Sequence, residues 1–192
     1  MYYVLQVASG MEDKTEAYIT SVLSDVYYDR CFHLTRHIKK KFHGRWMDIH
    51  EKLLPGYVFI VSDNVKGMYL ELKKVPSYAR LLGRDIEYFT ELPDRDVEWL
   101  ERLLGNDDIT EQKKEAFFDK DNINEEMPWH EVALSKVSVG EGKEIKIISG
   151  PLKNMDGMIR KINLHKRIAE VEVEFMNRKT IVYLGIELLD NR

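Results

Sequence analysis

The 192-residue chain contains a single cysteine, Cys31. One thiol excludes an internal disulfide framework and fits a reducing compartment. Cys31 opens a predicted strand, where a free thiol behaves as a small core hydrophobe. Long apolar runs are also missing: none approaches the roughly 20 residues that cross a bilayer. The N-terminus, Met1-Tyr2-Tyr3-Val4-Leu5, carries neither a basic leader nor a cleavage site, so a cytoplasmic chain without a membrane partner is expected. Catalytic signatures are absent as well. The histidines at 33, 37, 43, 50, 130 and 165 show no paired metal-ligand spacing, since His33 and His37 fall on a predicted strand instead of one helix face. No phosphate-binding lysine loop, dinucleotide fingerprint or nucleophile elbow occurs. Asp94, Asp96 and Glu98 read as the solvated first turn of a helix. The expectation is a non-enzyme with no cofactor and no metal.

What is present is charge, unevenly placed. Residues 1–104 carry 15 Lys/Arg against 16 Asp/Glu, residues 105–144 carry 5 against 11, and residues 145–192 carry 9 against 6, so −1, −6 and +3 make the net −4. An acidic stretch between a neutral part and a mildly basic one marks a place where the chain separates. The reading is a domain over 1–105, an acidic linker over 106–140, and a second domain over 141–192.

Along the first part, Tyr2–Val7 is apolar on both faces, as in a central strand. A helix follows, with Met11, Thr15, Tyr18, Ile19, Val22 and Leu23 inward and Glu12, Asp13, Lys14 and Glu16 outward. Ser9 or Gly10 is placed as its cap. Phe32, Leu34 and Ile38 then alternate in a strand that turns at His43-Gly44 and returns through Met47, Ile49 and Leu53. This long hairpin has a basic tip: Arg36, His37, Lys39, Lys40, Lys41, His43 and Arg45. Leu54-Pro55-Gly56 turns into the buried strand Tyr57–Val61. Val65, Met68, Tyr69 and Leu72 define a second helix that Val75-Pro76 ends. Arg80–Gly83 reads as a short edge strand, and Leu92-Pro93-Asp94 opens a third helix with Val97, Leu100, Leu103 and Leu104 inward. The fold class is α+β: an α/β sandwich with helices on a largely antiparallel sheet. Within the acidic linker, Met127-Pro128-Trp129 and Val132-Ala133-Leu134 form an apolar island expected to dock locally.

The last part alternates at strand period. Ile145–Ile148, Met158–Ile162, Ile168–Phe175 and Arg178–Leu184 are separated by Ser149-Gly150-Pro151, Asn154-Met155-Asp156-Gly157 and Met176-Asn177, which describes a small antiparallel barrel. Val171, Val173 and Phe175 share one face, Glu170, Glu172 and Glu174 the other. Glycines at 150 and 157 suit positive φ or close backbone approach at barrel corners.

These last residues carry a resemblance. Ile147-Ile148-Ser149-Gly150-Pro151-Leu152 with Asp156-Gly157-Met158-Ile159 resembles a KOW motif, shared by transcription factors, elongation factors and ribosomal proteins. Upstream, Tyr2-Tyr3-Val4-Leu5-Gln6-Val7 before Ser9-Gly10, Leu54-Pro55-Gly56-Tyr57-Val58-Phe59 and Val75-Pro76 resemble the N-terminal domain of the NusG family of transcription elongation factors. That domain, a linker and a KOW barrel make up the family's whole layout. Leu164–Ala169 and Tyr183–Glu187 look most like LoaP, an operon-selective antiterminator paralogue.

The resemblance implies three surfaces. An apolar depression for the clamp helices of the largest RNA polymerase subunit maps to Tyr2, Tyr3, Leu54, Pro55 and Tyr57, with Tyr and Leu where relatives often carry Trp and Phe. On spacing alone, these residues read equally as core. The hairpin tip would lie near upstream or non-template DNA, with Lys39, Lys40, Lys41 and Arg45 against phosphates. On the barrel, Lys153, Arg160, Lys161, His165, Lys166, Arg167, Arg178 and Lys179 are candidates for a nascent RNA hairpin, read through shape and backbone. Arg160 and Lys161 should point to opposite faces of an extended strand. Lys153, the 165–167 turn and Arg178-Lys179, in loops or at strand ends, could converge. Leu152 stands where housekeeping relatives commonly carry phenylalanine and contact a ribosomal protein or termination factor, which favours a specialised partner. The expected function is a monomeric processive antiterminator. The alternatives are a general elongation factor whose barrel binds protein, and a ribosome-associated KOW protein, against which the acidic pI of about 5.9 counts.

Overall fold

The computed structural model describes residues 1–74, 89–104, 130–140, 144–153, 155 and 157–189. The expected edge strand at 80–83, the Val75-Pro76 stop and most of the acidic linker lie outside them. The chain forms an α+β fold of two compact units, one comprising 1–34 and 54–97, the other 35–53 and 98–192. The hairpin therefore groups with the C-terminal strands.

In the first unit, β1 (Tyr2–Gln6), β2 (Arg30–Phe32), β5 (Tyr57–Val61) and β6 (Phe89–Glu91) form an antiparallel sheet in the order β2-β5-β1-β6. β1 and β5 are interior, which is why their sequences are apolar on both faces. One face is covered by α1 (Glu12–Val22) and α2 (Val65–Lys73): Leu5, Cys31, Val58, Ile60 and Phe89 pack with Ile19, Leu23, Met68, Tyr69 and Leu72. On the other face Val4, Phe32 and Phe59 are buried as deeply, and the rings of Phe32 and Phe59 stack at 5.4 Å. Burying each such side chain contributes about 1.5–3 kcal/mol. Among the described residues β2 and β6 are the edges of this sheet, and the sequence reading passed over β6.

Three expectations for this unit are corrected. The strand read through Phe32, Leu34 and Ile38 breaks after Phe32: His33 leaves the sheet, its backbone N–H and Nδ1 both meeting Glu16 Oε2, at 3.1 and 2.6 Å. Glu12, expected outward, is fully buried, and Val22, expected inward, is 38 % exposed. The N-cap of α1 is Met11, not Ser9 or Gly10, and it makes no side-chain cap hydrogen bond; instead the Gly10 N–H donates to the Glu12 carboxylate at 2.9 Å. By contrast α2 is capped conventionally, the Asn64 side chain accepting from the Gly67 N–H. In α3 (Asp94–Leu103), Leu100 and Leu103 are buried as read, but so is Asp96, whose carboxylate lies 3.5 Å from Arg95 Nε.

The second unit holds two sheets. β3 (Thr35–Phe42) and β4 (Arg45–Lys52) form the long hairpin, closed by His43 and Gly44 at φ 46° and 85°, the left-handed pair a two-residue turn requires. β7 (Glu131–Val132) pairs parallel with β3, so the Val132 end of the apolar island is a strand. The other sheet, in the order β10-β11-β12-β8-β9, joins β8 (Ser135–Val139), β9 (Ile145–Ser149), β10 (Ile159–Asn163), β11 (Ile168–Phe175) and β12 (Arg178–Leu188) into a curled half-barrel. It differs from an all-antiparallel barrel in one pair: β12 and β8 run parallel. β8 also lies within the stretch read as linker. On β11, Ala169, Val171, Val173 and Phe175 are buried and alternate with the glutamates, as the pattern predicts.

Two glycines set the packing. Gly150 has φ 95°, and a Cβ there would lie 2.6 Å from Ser135 Cα. At Gly185 a Cβ would collide with the His37 carbonyl oxygen and come within 3.1 Å of Ile38 Cα, so β12 and β3 cross backbone against backbone. Gly157, expected to serve a similar purpose, has open space around it.

Candidate polymerase and nucleic-acid surfaces

The Leu54–Tyr57 turn in the first unit is built around a buried carboxylate. Glu12 Oε1 accepts the Gly56 N–H at 2.6 Å while its Oε2 takes Gly10, and the Val7 N–H donates to the Gly56 carbonyl at 2.9 Å. Gly56 has φ 88°, and a Cβ there would sit 3.2 Å from Val7 O, so both conformation and space call for glycine. This leaves Pro55 exposed and buries Leu54 beneath it. Tyr57 pairs with Gln6 and Tyr2 with Val61, so both tyrosines fall on one sheet face, about 13 Å apart along β1. Both are half-buried. Tyr3 alternates to the opposite face and is only 9 % exposed; burial, then Glu91 and Asp63, hold its phenol above the usual range. Of the five residues assigned to the polymerase contact, Tyr2, Pro55 and Tyr57 offer surface, and Tyr3 and Leu54 support it. Glu12, whose carboxylate fixes this turn, was read as solvated. One of two acidic residues in a first helical turn gave no signal otherwise.

On the hairpin the basic residues divide by position. Arg36 pairs with Glu51 at 3.0 Å, Lys39 with Asp48 at 2.9 Å, and Lys40 with the other oxygen of Glu51. His37 Nε2 lies 2.7 Å from Asp48, and its ring stacks on His50, whose Nδ1 meets the buried Glu131 of β7. Hydrogen bonds from Lys40 and Arg36 hold the Glu51 carboxyl below the usual carboxylate range; Lys39 and His37 do the same for Asp48. Arg36, His37 and Lys39 thus belong to the hairpin's body. At the tip, Lys41 and Arg45 are exposed and make no ion pair among the described residues.

The half-barrel sorts its cations the same way. A β-bulge between Ile159 and Lys161 puts Arg160 and Lys161 on the same, glutamate-bearing face, where alternation alone would have separated them. There Arg160 binds Glu172 through Nε at 3.1 Å and Nη2 at 2.5 Å, and Lys179 stands 3.7 Å from the same carboxylate. Neutralised by these glutamates, this face is poorly suited to phosphate. The 165–167 turn and Arg178-Lys179 do not converge, because they cap opposite ends of β11, about 23 Å apart. Lys153 lies toward the first of these ends: the Leu152 N–H donates to Ser135 Oγ, Ser135 pairs with Ile186, and the Ile186 N–H donates to the Arg167 carbonyl.

The turn meets the hairpin. Arg167, at φ 56°, lays its guanidinium 4.1 Å from the centre of the Trp46 ring, while Asn163 Oδ1 accepts the Lys166 N–H at 2.9 Å. β3 is fastened along β12 by Arg36 donating to the Tyr183 carbonyl at 2.5 Å and by Lys39 lying 3.5 Å from Glu187. Trp46 escaped the sequence reading; its position opposite Lys41 in an exposed hairpin was the available signal. Among the described residues, no group of three His, Cys, Asp or Glu could hold a metal ion, and no helix is long and apolar enough to cross a membrane.

Residues 1–101 match the family model for NusG, described as "Transcription termination factor nusG". Among solved structures, NusG of Thermotoga maritima is similar at 24 % identity, over 96 % of this chain and 92 % of that one, with a TM-score of 0.46. The family match covers more than half of the sequence, and the chain belongs to the NusG family of transcription factors.

Proposed function

We propose that the protein is a processive antiterminator of the LoaP kind, which binds RNA polymerase through its N-terminal domain, 1–105, and a nascent leader RNA hairpin through its KOW domain, 141–192. The observation that carries the RNA half is the sorting of cations. Arg160 and Lys179 are neutralised by Glu172, whereas Lys166 is exposed and without an ion pair among the described residues. A turn that presents charge to solvent suits a polyanion. Leu152 supports a departure from protein-binding relatives: it is fully buried, so no side chain is offered where they present an aromatic one.

On polymerase, Tyr2, Pro55 and Tyr57 would meet the clamp helices of the largest subunit and favour the closed, elongating clamp. Such a factor shifts the clamp equilibrium only through its differential affinity for the two states, so the mechanism is binding. Tethering a second, RNA-binding surface to the same chain raises the effective concentration of each, and neither contact need be tight.

The test is recovery of leader RNAs from a transcribed pool by the full chain at near-physiological salt. Enrichment of a restricted set of stem-loops supports the reading. Uniform, sequence-blind recovery that vanishes as salt rises would sink the RNA half and direct the search toward a protein partner.

A further inference from the structure

We propose that the hairpin tip and the β10–β11 turn form one RNA-binding surface, in which Lys41 contacts the same RNA helix backbone as Lys166, with the Arg167–Trp46 stack holding the two halves together. This rests on the RNA reading above and moves Lys41 from DNA to RNA phosphates. Lys41 is the cross-strand partner of Trp46, Trp46 carries Arg167 on its ring at 4.1 Å, and Lys166 precedes Arg167 in the turn. Cross-strand partners stand about 5 Å apart at Cβ, so Lys41 and Lys166 flank the stack, whereas Arg45, opposite Phe42, points to the other face of the hairpin.

The charge pattern selects the occupant. Within hairpin and half-barrel, Arg36, Lys39, Lys40, Arg160 and Lys179 all meet carboxylates. Lys41, Arg45 and Lys166 do not among the described residues, nor do Lys136, Lys146, Lys153, Lys161 and Arg178, but of these Lys41 and Lys166 are the two that flank the stack. Trp46 is only half-exposed, with its ring engaged by Arg167, so it is not a platform for an unpaired base. Among the described residues, no helix lies in the hairpin or the half-barrel to enter a B-form major groove. A row of cations borne on turns fits the backbone of an A-form stem, which is read by shape.

The stack also has a structural purpose. A guanidinium on an indole face is held in one direction, and Arg167 is fixed further by its left-handed backbone. Removing the ring frees the turn from the hairpin without deleting a single cation.

The experiment measures binding of the full chain to a fluorescently labelled RNA stem-loop across a salt series. Lys41→Ala and Lys166→Ala should each weaken binding and lower the log–log salt slope by about 1. For the Lys41→Ala/Lys166→Ala double variant, the wild-type advantage should shrink about twelvefold when salt rises fourfold. Trp46→Ala should weaken binding with all cations in place, and Trp46→Phe should restore most of it. Arg178→Ala/Lys179→Ala, at the far end of β11, should leave affinity unchanged.

If Lys166→Ala weakens binding while Lys41→Ala does not, the joint surface is overturned and the RNA reading stands. Loss with Arg178→Ala/Lys179→Ala equal to that with Lys166→Ala would also overturn it. Equal competition by a DNA duplex of the stem sequence overturns the assignment to RNA. If the wild type binds no stem-loop, both the joint surface and the RNA reading fail.

Discussion

Gly185→Ala is the sharpest perturbation of the hairpin–half-barrel unit. The glycine lies on β12 where β3 crosses it, and an added Cβ would meet the His37 carbonyl, Leu134 Cδ2 at 2.5 Å and Ile38 Cα at 3.1 Å. Two of these three atoms are backbone, so no rotamer change relieves the clash and a strand must move. Overpacking of this kind costs roughly 1–3 kcal/mol. At about 2–4 °C per kcal/mol for a chain of this size, the melting temperature should fall by about 2–12 °C. Displacement of β3 would break the Arg36–Tyr183 and Lys39–Glu187 contacts and pull Trp46 off Arg167. Hydrogen exchange should therefore quicken across 35–52 and 163–167 before the sheet of the first unit responds. Gly157→Ala is the matched control: nothing lies within 4 Å of the new methyl, and its effect should stay within about 0.5 kcal/mol. Wild-type stability and unchanged exchange in Gly185→Ala would refute the close crossing.

Glu12→Ala removes the acceptor of two backbone N–H groups, at Gly10 and Gly56, and should cost about 2 kcal/mol while weakening polymerase binding through the displaced Pro55 turn. Stability and affinity like wild type would show that the turn does not depend on it. Acid should loosen the hairpin: the folded carboxyls of Glu51 and Asp48 titrate below their ordinary values, so their contribution is full above about pH 5 and is lost as pH falls through the folded values. Exchange protection in the hairpin that persists unchanged to pH 3 would contradict those pairings. Burial pushes the Cys31 thiol well up, so native protein should resist alkylation at pH 8 that the denatured chain undergoes; equal rates would place Cys31 outside the core.

Much of the fold was legible because period and turn chemistry agree with it. The Ile168–Phe175 alternation, the His43-Gly44 turn and the apolar runs of β1 and β5 each state their environment locally. What escaped depends on tertiary partners. Glu12 looks like any acidic first-turn residue until Gly56, 44 positions away, supplies its N–H. Arg160 and Lys161 share a face only through a bulge, which no residue type there announces. The strand β7 is two residues long and exists because β3 pairs with it. At the candidate surfaces, composition identified the cations but could not say which would be neutralised. Lys39 and Lys41 are equivalent in the sequence, yet one lies between Asp48 and Glu187 and the other faces solvent. Convergence was misjudged for a similar reason, since the length of β11 separates two basic turns that look close on paper.

The central claim is that one chain couples an RNA hairpin to the elongating polymerase. Its most direct test is transcription by purified RNA polymerase through an intrinsic terminator, with and without a stem-loop recovered by this protein placed upstream in the transcript. The account predicts read-through that requires the stem-loop and is abolished separately by Tyr57→Ala and by Lys166→Ala, each variant remaining folded. Termination unchanged by the protein, or read-through indifferent to the stem-loop, would contradict it.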